Sequence, residues 1–208
     1  MLCPPPKRPP KKIDRKHLRA SVTDEQRGDA AGQSDALPPL VIRPMRGTDI
    51  EQVARVERRS FPTPWSTQAY VTEIANPSAC YLVAAVGERA ETVVGYGGTW
   101  VIMDEAHITT LGVDPTIRGR KIGERLLCEL LVAARRLGAT RATLEVRESN
   151  TAAKSLYAKY GFAWVAQRKG YYTDNNENAD ILWINDMTTS DWRRLFNANR
   201  EALGLPPV

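Results

Sequence analysis

The stretch LGVDPTIRGRKIGERLL, residues 111–127, joins a predicted strand to a predicted helix through a proline-bearing turn and an Arg/Gly-rich loop. The first N–H groups of a helix have no partner within the helix, and that end carries partial positive charge. Arg118, Arg120 and Lys121 add three cationic side chains to the same loop. The stretch therefore predicts an anion site suited to a pyrophosphate. The alternative is a basic, solvated loop that only connects strand to helix.

Apolar periodicity on either side of this stretch predicts alternating strands and helices. The strands are expected at 40–45, 80–86, 92–103, 106–113, 141–146, 162–168 and 179–186, and the helices at 49–61, after Ser66, at 122–137, 151–160 and 190–203. The Asp-Glu pair at 104–105 predicts a tight hairpin with antiparallel strands. The fold class is therefore α/β (α+β), a mixed central sheet of about seven strands flanked by helices.

The net charge of +5, from 29 basic and 24 acidic residues, is concentrated at the N-terminus. Residues 1–20 hold seven basic residues and one acid, which leaves 22 basic and 23 acidic residues in the remainder. A basic groove for nucleic acid is therefore not expected outside the tail. Residues 1–39 are predicted to be a disordered basic tail, 40–187 one domain, and 188–208 a C-terminal helical extension.

The cysteine and histidine inventory excludes several kinds of site. Cys3, Cys80 and Cys128 are far apart, without a CxxC pair, and the chain has two histidines. Neither a disulfide framework nor a metal site fits this pattern, and a cytoplasmic location is the expectation. No apolar run approaches the ~20 residues of a membrane helix. Cys80 and Cys128 lack neighbouring cations and are predicted to be small buried residues rather than nucleophiles.

A second stretch, TLEVRESNTAAKSLYAKYGF at residues 143–162, contains two unexpected residues. Glu145 interrupts an apolar strand, and Tyr157 occupies a helix position that Leu or Ala would fill equally well. Asn150 lies seven residues before Tyr157, so both are on nearly the same helix face. Taken alone, the residues favour structural roles: a carboxylate paired with Arg141 or Arg147, and a core tyrosine.

The two stretches together resemble a known family. The pattern V-D-P-x-x-R-x-x-x-x-G-E-R-L-L followed by LEVRESNTAAKSLYAKYGF resembles the acetyl-CoA-binding core of the GNAT acetyltransferases. Over about residues 40–187 the chain is most similar to RimI-type N-terminal acetyltransferases, which acetylate the terminal alanine of a small-subunit ribosomal protein. The resemblance implies the GNAT acyl-CoA N-acyltransferase fold and direct transfer from acetyl-CoA to a protein α-amino group in a ternary complex.

The resemblance also implies which residues bind acetyl-CoA. In the family pattern Q/R-x-x-G-x-G/A, Arg118 and Gly123 match, and Lys121 stands where the first glycine is expected. Backbone groups of three strand residues are expected to pair with the pantetheine: Leu111, Gly112 and Val113. Backbone amides of the following loop are expected to hold the pyrophosphate: Gly119, Arg120, Lys121, Ile122, Gly123 and Glu124. Asn150 is expected to cap its helix and hydrogen-bond the cofactor.

Catalytic roles follow from the same resemblance. Glu145 is expected to be the general base, provided that the cleft raises its pKa, and Tyr157 the acid that protonates the departing thiolate. His107 is a further candidate base that is interpreted as structural. The segments FPTPWS and KGYYTDNNENAD are expected to line a peptide cleft, with four aromatic residues contributing: Phe61, Trp65, Tyr171 and Tyr172.

Two other functions stay open at this stage. A small amine such as a polyamine or aminoglycoside is a possible acceptor, because Asp174, Glu177 and Asp180 supply acids near the cleft. A non-catalytic acetyl-CoA-binding module that docks on RNA through the basic tail is the second alternative. The partners expected from the sequence are therefore acetyl-CoA and a protein N-terminus, with nucleic acid only at the tail and no membrane.

Overall fold

The computed structural model describes residues 39–208, so the prediction of a disordered tail lies outside the described residues except at Pro39. Seven strands are present: β1 Leu40–Pro44, β2 Ala79–Val86, β3 Thr92–Ile102, β4 Glu105–Val113, β5 Arg141–Arg147, β6 Ala163–Tyr172 and β7 Glu177–Ile184. Five α-helices accompany them: α1 Ile50–Ser60, α2 Thr67–Ile74, α3 Ile122–Arg136, α4 Thr151–Lys159 and α5 Ser190–Glu201. Short 3₁₀ turns cover Gly47–Asp49 and Pro115–Ile117.

All seven strands form one mixed sheet in the order β1-β2-β3-β4-β5-β7-β6. Every neighbouring pair is antiparallel except β4 and β5, which are parallel and are joined by α3. The prediction of a mixed sheet of about seven strands flanked by helices is confirmed, and so is the antiparallel β3–β4 hairpin. Because β4 and β5 are parallel, their carboxyl ends lie at the same edge of the sheet.

Helices cover both faces of the sheet. On one face, α3 packs closely over β3. A Cβ added to Gly97 would lie only 2.7 Å from the Leu130 side chain, which shows how close the two elements are. The leucines of α3 are fully buried, and each contributes about 1.5–3 kcal/mol of hydrophobic stabilisation. On the other face, α1 and α2 cover a core cluster that includes Tyr70, Tyr81 and Tyr96. The two helical layers therefore enclose β2, β3 and β4.

The start of α1 differs from the prediction. The helix was expected at 49–61 but begins at Ile50, and the Asp49 side chain makes no capping hydrogen bond to it. The Asp49 carboxylate instead accepts hydrogen bonds from the Arg43 guanidinium at 2.7 and 2.9 Å and from the Arg46 N–H at 2.7 Å. This ion pair lowers the pKa of Asp49, although burial opposes the shift. Asp49 therefore ties α1 to β1.

The C-terminal half differs from the prediction in two places. Strand β6 extends to Tyr172, beyond the expected end at 168, because it pairs with β7 as far as Glu177. Most of the predicted acceptor loop is therefore a β-hairpin. Helix α5 begins at Ser190 as expected, with the Thr189 side chain accepting the Trp192 N–H as its cap, but it ends at Glu201 rather than at 203.

Candidate active site

The parallel strands β4 and β5 separate at the edge of the sheet where both end. Their pairing covers Glu105–Ile108 against Arg141–Leu144 and then stops. A bulge at Thr109 shifts the β3–β4 register at the same point, and bulges increase the local twist and bend of a strand. Residues 110–113 of β4 therefore pair with β3 on one side only. The predicted pantetheine-binding residues Leu111, Gly112 and Val113 lie on this open edge, which is suited to an added strand.

Gly112 allows a close approach between this edge and an aromatic ring. A Cβ at Gly112 would lie 2.7–2.9 Å from the Tyr96 ring and hydroxyl, a separation that real Cβ atoms do not tolerate. Tyr96 is fully buried, so its ring has little room to move. The open edge therefore depends on glycine at this position.

We expect Gly112→Ala to destabilise the protein by about 1–3 kcal/mol, because the methyl group overpacks the Tyr96 ring. The measurement is the free energy of unfolding in urea. Gly123→Ala is the matched control, since its Cβ would meet Val113 at an ordinary 3.5 Å inside α3. That control should gain about 0.5–1 kcal/mol from helix propensity. Equal effects of the two substitutions would contradict the packing argument.

The loop after β4 brings backbone N–H groups to the same edge. The Asp114 side chain accepts the Thr116 N–H at 3.0 Å and pairs with Arg59 of α1 at 2.7 Å. The first hydrogen bond of α3 runs from the Arg125 N–H to the Lys121 carbonyl. The preceding N–H groups, those of Ile122, Gly123 and Glu124, thus have no intrahelical partner. These three N–H groups lie at the start of α3, directly after the loop that carries Arg118 and Arg120.

Lys121 adopts a backbone conformation that suits glycine. Its φ of +58° lies in the left-handed region at the position immediately before α3. A residue with a Cβ pays about 1–2 kcal/mol there. The family pattern expects glycine at this position, and the observed φ supplies the physical reason. Gly119, with φ +83°, is the other left-handed residue of the loop.

We therefore expect Lys121→Gly to stabilise the fold by about 0.5–1 kcal/mol, the relief of strain less the entropy cost of glycine. Lys121→Ala should give no such gain, because alanine keeps the Cβ. Thermal unfolding of the three proteins measures the difference. A lower melting temperature for the glycine variant would show that Lys121 makes contacts that outweigh its strain.

The side chain of Glu124 does not face the loop. It is buried and bonds to Lys159 and to the Tyr160 hydroxyl, where α4 ends against α3. Only its backbone N–H is thus left for an anion. The buried Cys128 thiol also contacts the Tyr160 hydroxyl, at 3.2 Å. Burial raises the pKa of both Cys128 and Cys80, which makes each a weak nucleophile.

Glu145 lies on β5 beside the opening, with only 11% of its side chain exposed. Its Oε2 atom is 2.6 Å from the His107 Nε2 atom on β4, and its Oε1 atom is 3.2 Å from the Arg168 guanidinium on β6. The structural reading of Glu145 predicted an ion pair with Arg141 or Arg147, and this prediction is wrong. Arg141 pairs with Asp104, and Arg147 pairs with Asp174 and Glu177.

The expectation of a raised pKa for Glu145 is also wrong. Burial acts to raise it, but the hydrogen bond with His107 and the positive charge of Arg168 lower it and outweigh burial. The pKa of Glu145 is therefore below its ordinary value. The carboxylate is ionised throughout the neutral range, and alone it is a weak base for an ammonium group.

Asn150 and Tyr157 lie on α4, which starts where β5 ends. The Asn150 side chain accepts the Ala153 N–H at 3.1 Å, as expected of a helix cap. The Tyr157 ring is buried and packs edge-on against Phe162 with centroids 5.7 Å apart. Burial raises the pKa of Tyr157 to about 12. Its hydroxyl therefore stays protonated at neutral pH.

The four predicted acceptor-binding aromatics divide into two pairs. Tyr171 and Tyr172 lie on β6 with ring centroids 5.2 Å apart, and the Arg147 guanidinium stacks 3.9 Å above the Tyr172 ring. Burial raises the pKa of Tyr172 above its ordinary value, and Glu145 and Tyr157 both contribute to the shift. Tyr172 therefore belongs to the same neighbourhood as the two predicted catalytic residues.

Phe61 and Trp65 lie in the segment between α1 and α2 and pack against the core cluster. The Trp65 ring is 5.8 Å from that of Tyr70. Its backbone N–H donates to the buried Glu57 carboxylate at 3.1 Å, and the Tyr70 hydroxyl donates to the same carboxylate at 2.8 Å. Glu57 thus anchors the segment that carries this pair.

Sequence reasoning missed the contact of His107 and Arg168 with Glu145. His107 was interpreted as structural, yet the parallel register sets it opposite Thr143, on the same face as Glu145. A strand residue's face is visible in a sequence, but its partner on another strand is not. The only sequence signal was that His107 lies on the strand that leads into Leu111–Val113.

The acids that kept a small-amine acceptor open are already paired. Asp174 and Glu177 flank Arg147, and Asp180 is buried against Lys154 of α4 at 3.0 Å. Among residues 39–208, no three metal-ligating side chains are grouped so as to hold a metal ion. No helix in this part of the chain has both the length and the apolar character needed to span a lipid bilayer.

Comparison with known proteins identifies relatives of the whole region. A family model described as "Acetyltransferase (GNAT) family" matches residues 50–162. A Bacillus subtilis protein named "Putative [ribosomal protein bS18]-alanine N-acetyltransferase" is 40% identical over 144 residues, covering 69% of this chain and 93% of that protein.

Two solved structures extend the comparison. The ribosomal-protein-S18-alanine N-acetyltransferase of Escherichia coli aligns with a TM-score of 0.65 and 27% identity, covering 74% of this chain and 98% of that one. Arabidopsis thaliana NAA60 in complex with acetyl-CoA aligns with a TM-score of 0.64 at 18% identity, covering 70% and 98%. The latter likeness concerns the fold alone.

Proposed function

The chain belongs to the GNAT acetyltransferase family, and from that premise we propose that it transfers acetyl from acetyl-CoA to the α-amino group of a protein. The acceptor is the N-terminal alanine of a small-subunit ribosomal protein. The names of the Bacillus and Escherichia relatives support this acceptor. The observation that carries the proposal is the separation of β4 from β5, which sets an open strand edge, a helix N-terminus and Glu145 around one gap.

The residues present fit acetyl-CoA. The open edge of Leu111–Val113 would pair with the pantetheine amides, and one of its N–H groups would polarise the thioester carbonyl. The N–H groups at the start of α3 would hold the pyrophosphate, with the side chains of Arg118, Arg120 and Lys121 adding positive charge. Asn150 would contribute a hydrogen bond from the start of α4.

The reaction requires a neutral amine, a stabilised oxyanion and a proton for the leaving thiolate. An α-amino group has an ordinary pKa of about 7.7–8.0, so one proton must be removed before attack. Glu145 is proposed to take part in removing that proton. Tyr157 is proposed to be the acid that protonates the coenzyme A sulfur. Transfer is direct, within a ternary complex, because the partly buried Cys80 and the buried Cys128 have raised thiol pKa values and are unsuited to carry an acyl group.

The acceptor peptide is proposed to enter between the α1–α2 segment and the β6–β7 hairpin. Tyr171 and Tyr172 on one side, and Phe61 and Trp65 on the other, would line this entrance. Arg147 fixes Tyr172 by stacking, and Glu57 fixes Trp65 through its backbone. The scattered cysteines and a ribosomal acceptor support a cytoplasmic reaction.

The test is acetylation of an alanine-starting peptide from a small-subunit ribosomal protein, followed by mass spectrometry of the product. In competition, spermidine and an aminoglycoside should remain unmodified, because the nearby acids are paired with Arg147 and Lys154. Preferential modification of the small amine would overturn the acceptor. Binding of acetyl-CoA without turnover of any amine would favour the non-catalytic module.

Two further observations place the activity in the cell and test the tail. Ribosomal protein N-termini from cells with and without this gene should differ at the alanine-starting protein. The chain lacking residues 1–39 should turn over the peptide normally, since the proposed site lies within the described residues. A requirement for the tail would instead support docking through its basic residues.

A further inference from the structure

His107 and Glu145 form the shortest contact of the candidate site, at 2.6 Å between Nε2 and Oε2. At this distance a proton must lie between the two atoms, because two lone pairs would repel each other. The Nε2 atom therefore carries hydrogen and donates to the carboxylate. In the neutral ring, the remaining lone pair is on Nδ1, which points away from Glu145.

The two groups differ in how open they are. Only 11% of the Glu145 side chain is exposed, and its second oxygen accepts from Arg168. The His107 side chain is 35% exposed. A carboxylate already held by two donors gains little from a third proton, whereas an imidazole ordinarily changes charge close to neutral pH.

The other charged groups around the ring are already engaged or lie further along the strands. Trp100 of β3 packs edge-on against the His107 ring, and its indole N–H donates to Glu73 of α2. On β5, Arg141 pairs with Asp104. Glu105 lies two residues away on β4 and Arg168 approaches from β6. Glu145 is thus the anion in direct contact with His107.

We propose that His107 is the proton acceptor of the reaction and that Glu145 positions the ring and compensates its charge. This inference rests on the proposed acetyl transfer. One N–H bond of the α-ammonium group breaks, and the proton passes through water to Nδ1. The electron pair stays on the amine nitrogen, which attacks the thioester carbonyl and forms the C–N bond. The C–S bond then breaks, its electron pair leaves with the sulfur, the sulfur takes the Tyr157 proton, and the second proton of the attacking nitrogen returns to Tyr157. The imidazolium keeps its Nε2–H bond to Glu145 and later releases the proton to solvent.

His107→Gln separates proton transfer from positioning. The glutamine amide N–H lies close to where Nε2–H was, so it keeps the hydrogen bond to Glu145 but accepts no proton at neutral pH. We expect kcat for the peptide to fall about 10²–10⁴-fold with KM little changed. His17→Gln, the same change at the chain's other histidine, should retain the wild-type kcat. A His107→Gln kcat within threefold of wild type would overturn the proposal.

The pair should also behave as one unit. The double variant His107→Gln/Glu145→Gln should be no more than about threefold slower than the slower single variant, because each change alone disables the same step. Exogenous imidazole should raise the rate of His107→Ala. Losses that multiply, together with no rescue by imidazole, would overturn the shared role.

An NMR measurement on the His107 ring tests this inference separately from the proposed function. In the His17→Gln protein, one imidazole remains, and its ¹⁵N shifts report which nitrogen carries hydrogen. Nε2–H is expected in the neutral ring, and Glu145→Gln should shift the Nε2 resonance because it replaces the acceptor of that hydrogen. A proton on Nδ1 would overturn the inference even where the wild type acetylates peptides. An Nε2–H ring in a protein that acetylates no peptide would support the dyad and refute the acceptor.

Discussion

Glu145→Gln should lower kcat for the alanine-starting peptide by about 10²–10⁴-fold, while leaving acetyl-CoA affinity near that of the wild type. The amide has nearly the same shape as the carboxylate but lacks the negative charge that holds the proton-accepting centre. Glu145 lies outside the loop of residues 118–124, so the proposed pyrophosphate contacts are unaffected. Steady-state kinetics and calorimetric titration with acetyl-CoA measure the two quantities.

Two controls make this result specific to Glu145. Glu51→Gln on the exposed start of α1 is the same chemical change away from the gap, and it should retain wild-type kinetics. Glu145→Gln should lower the free energy of unfolding by about 1–3 kcal/mol, because Arg168 and His107 each lose one charged partner. The variant should therefore still fold. A folded Glu145→Gln protein with wild-type kcat would show that this carboxylate takes no part in deprotonation.

Tyr157→Phe should lower kcat by about 10²-fold or more, because the leaving thiolate loses its proton donor. Burial raises the pKa of Tyr157 to about 12, so the hydroxyl stays protonated at neutral pH and keeps its proton until the thiolate forms. A simple thiol has an ordinary pKa of about 8.5, below that of Tyr157. Proton transfer from the phenol to the sulfur is therefore uphill by itself, and it requires the attacking nitrogen to return its second proton to Tyr157 as the C–S bond breaks. The phenylalanine ring keeps the edge-on contact with Phe162.

The leaving group itself provides the sharpest check on Tyr157. When the acetyl donor is a thioester of a more acidic thiol, the leaving group needs less protonation. The ratio of the wild-type kcat to the Tyr157→Phe kcat should therefore be smaller with that thioester than with acetyl-CoA. Tyr160→Phe, three residues away, is the matched control. Tyr160→Phe should lower the free energy of unfolding by about 1–3 kcal/mol, because Glu124 and Cys128 lose their hydrogen-bond contacts with the buried hydroxyl. Its kcat should stay close to that of the wild type. An equal loss with both donors would remove Tyr157 as the acid.

Much of the fold could be predicted because its signals are local. The alternation of strands and helices follows from apolar spacing within each segment, and seven strands were expected and found. Ser66 and Asn150 cap their helices through N–H groups three residues away. The loop before α3 was likewise recognisable, because its proline, glycine and arginine residues act within a few positions. The exact ends of several elements needed correction, and the β3–β4 turn is Met103–Asp104 rather than 104–105.

The chemistry of the site was less accessible. The resemblance singled out Glu145 and Tyr157 but gave neither residue its neighbours. The pKa of Glu145 was expected to rise, and it falls because His107 and Arg168 approach from two other strands. His107 was interpreted as structural because it lies at the start of a strand, four residues before Leu111.

The sequence by itself determined the order of elements, the caps of α2 and α4 and the composition of the loop before α3, since each depends on residues a few positions apart. The tertiary structure alone decided where β4 separates from β5 and which groups meet in the gap. His107 and Glu145 are 38 residues apart in the chain and 2.6 Å apart in space. That contact depends on the register of two parallel strands joined by α3, and a parallel register is fixed by the packing of the helix and sheet rather than by either strand's own residues.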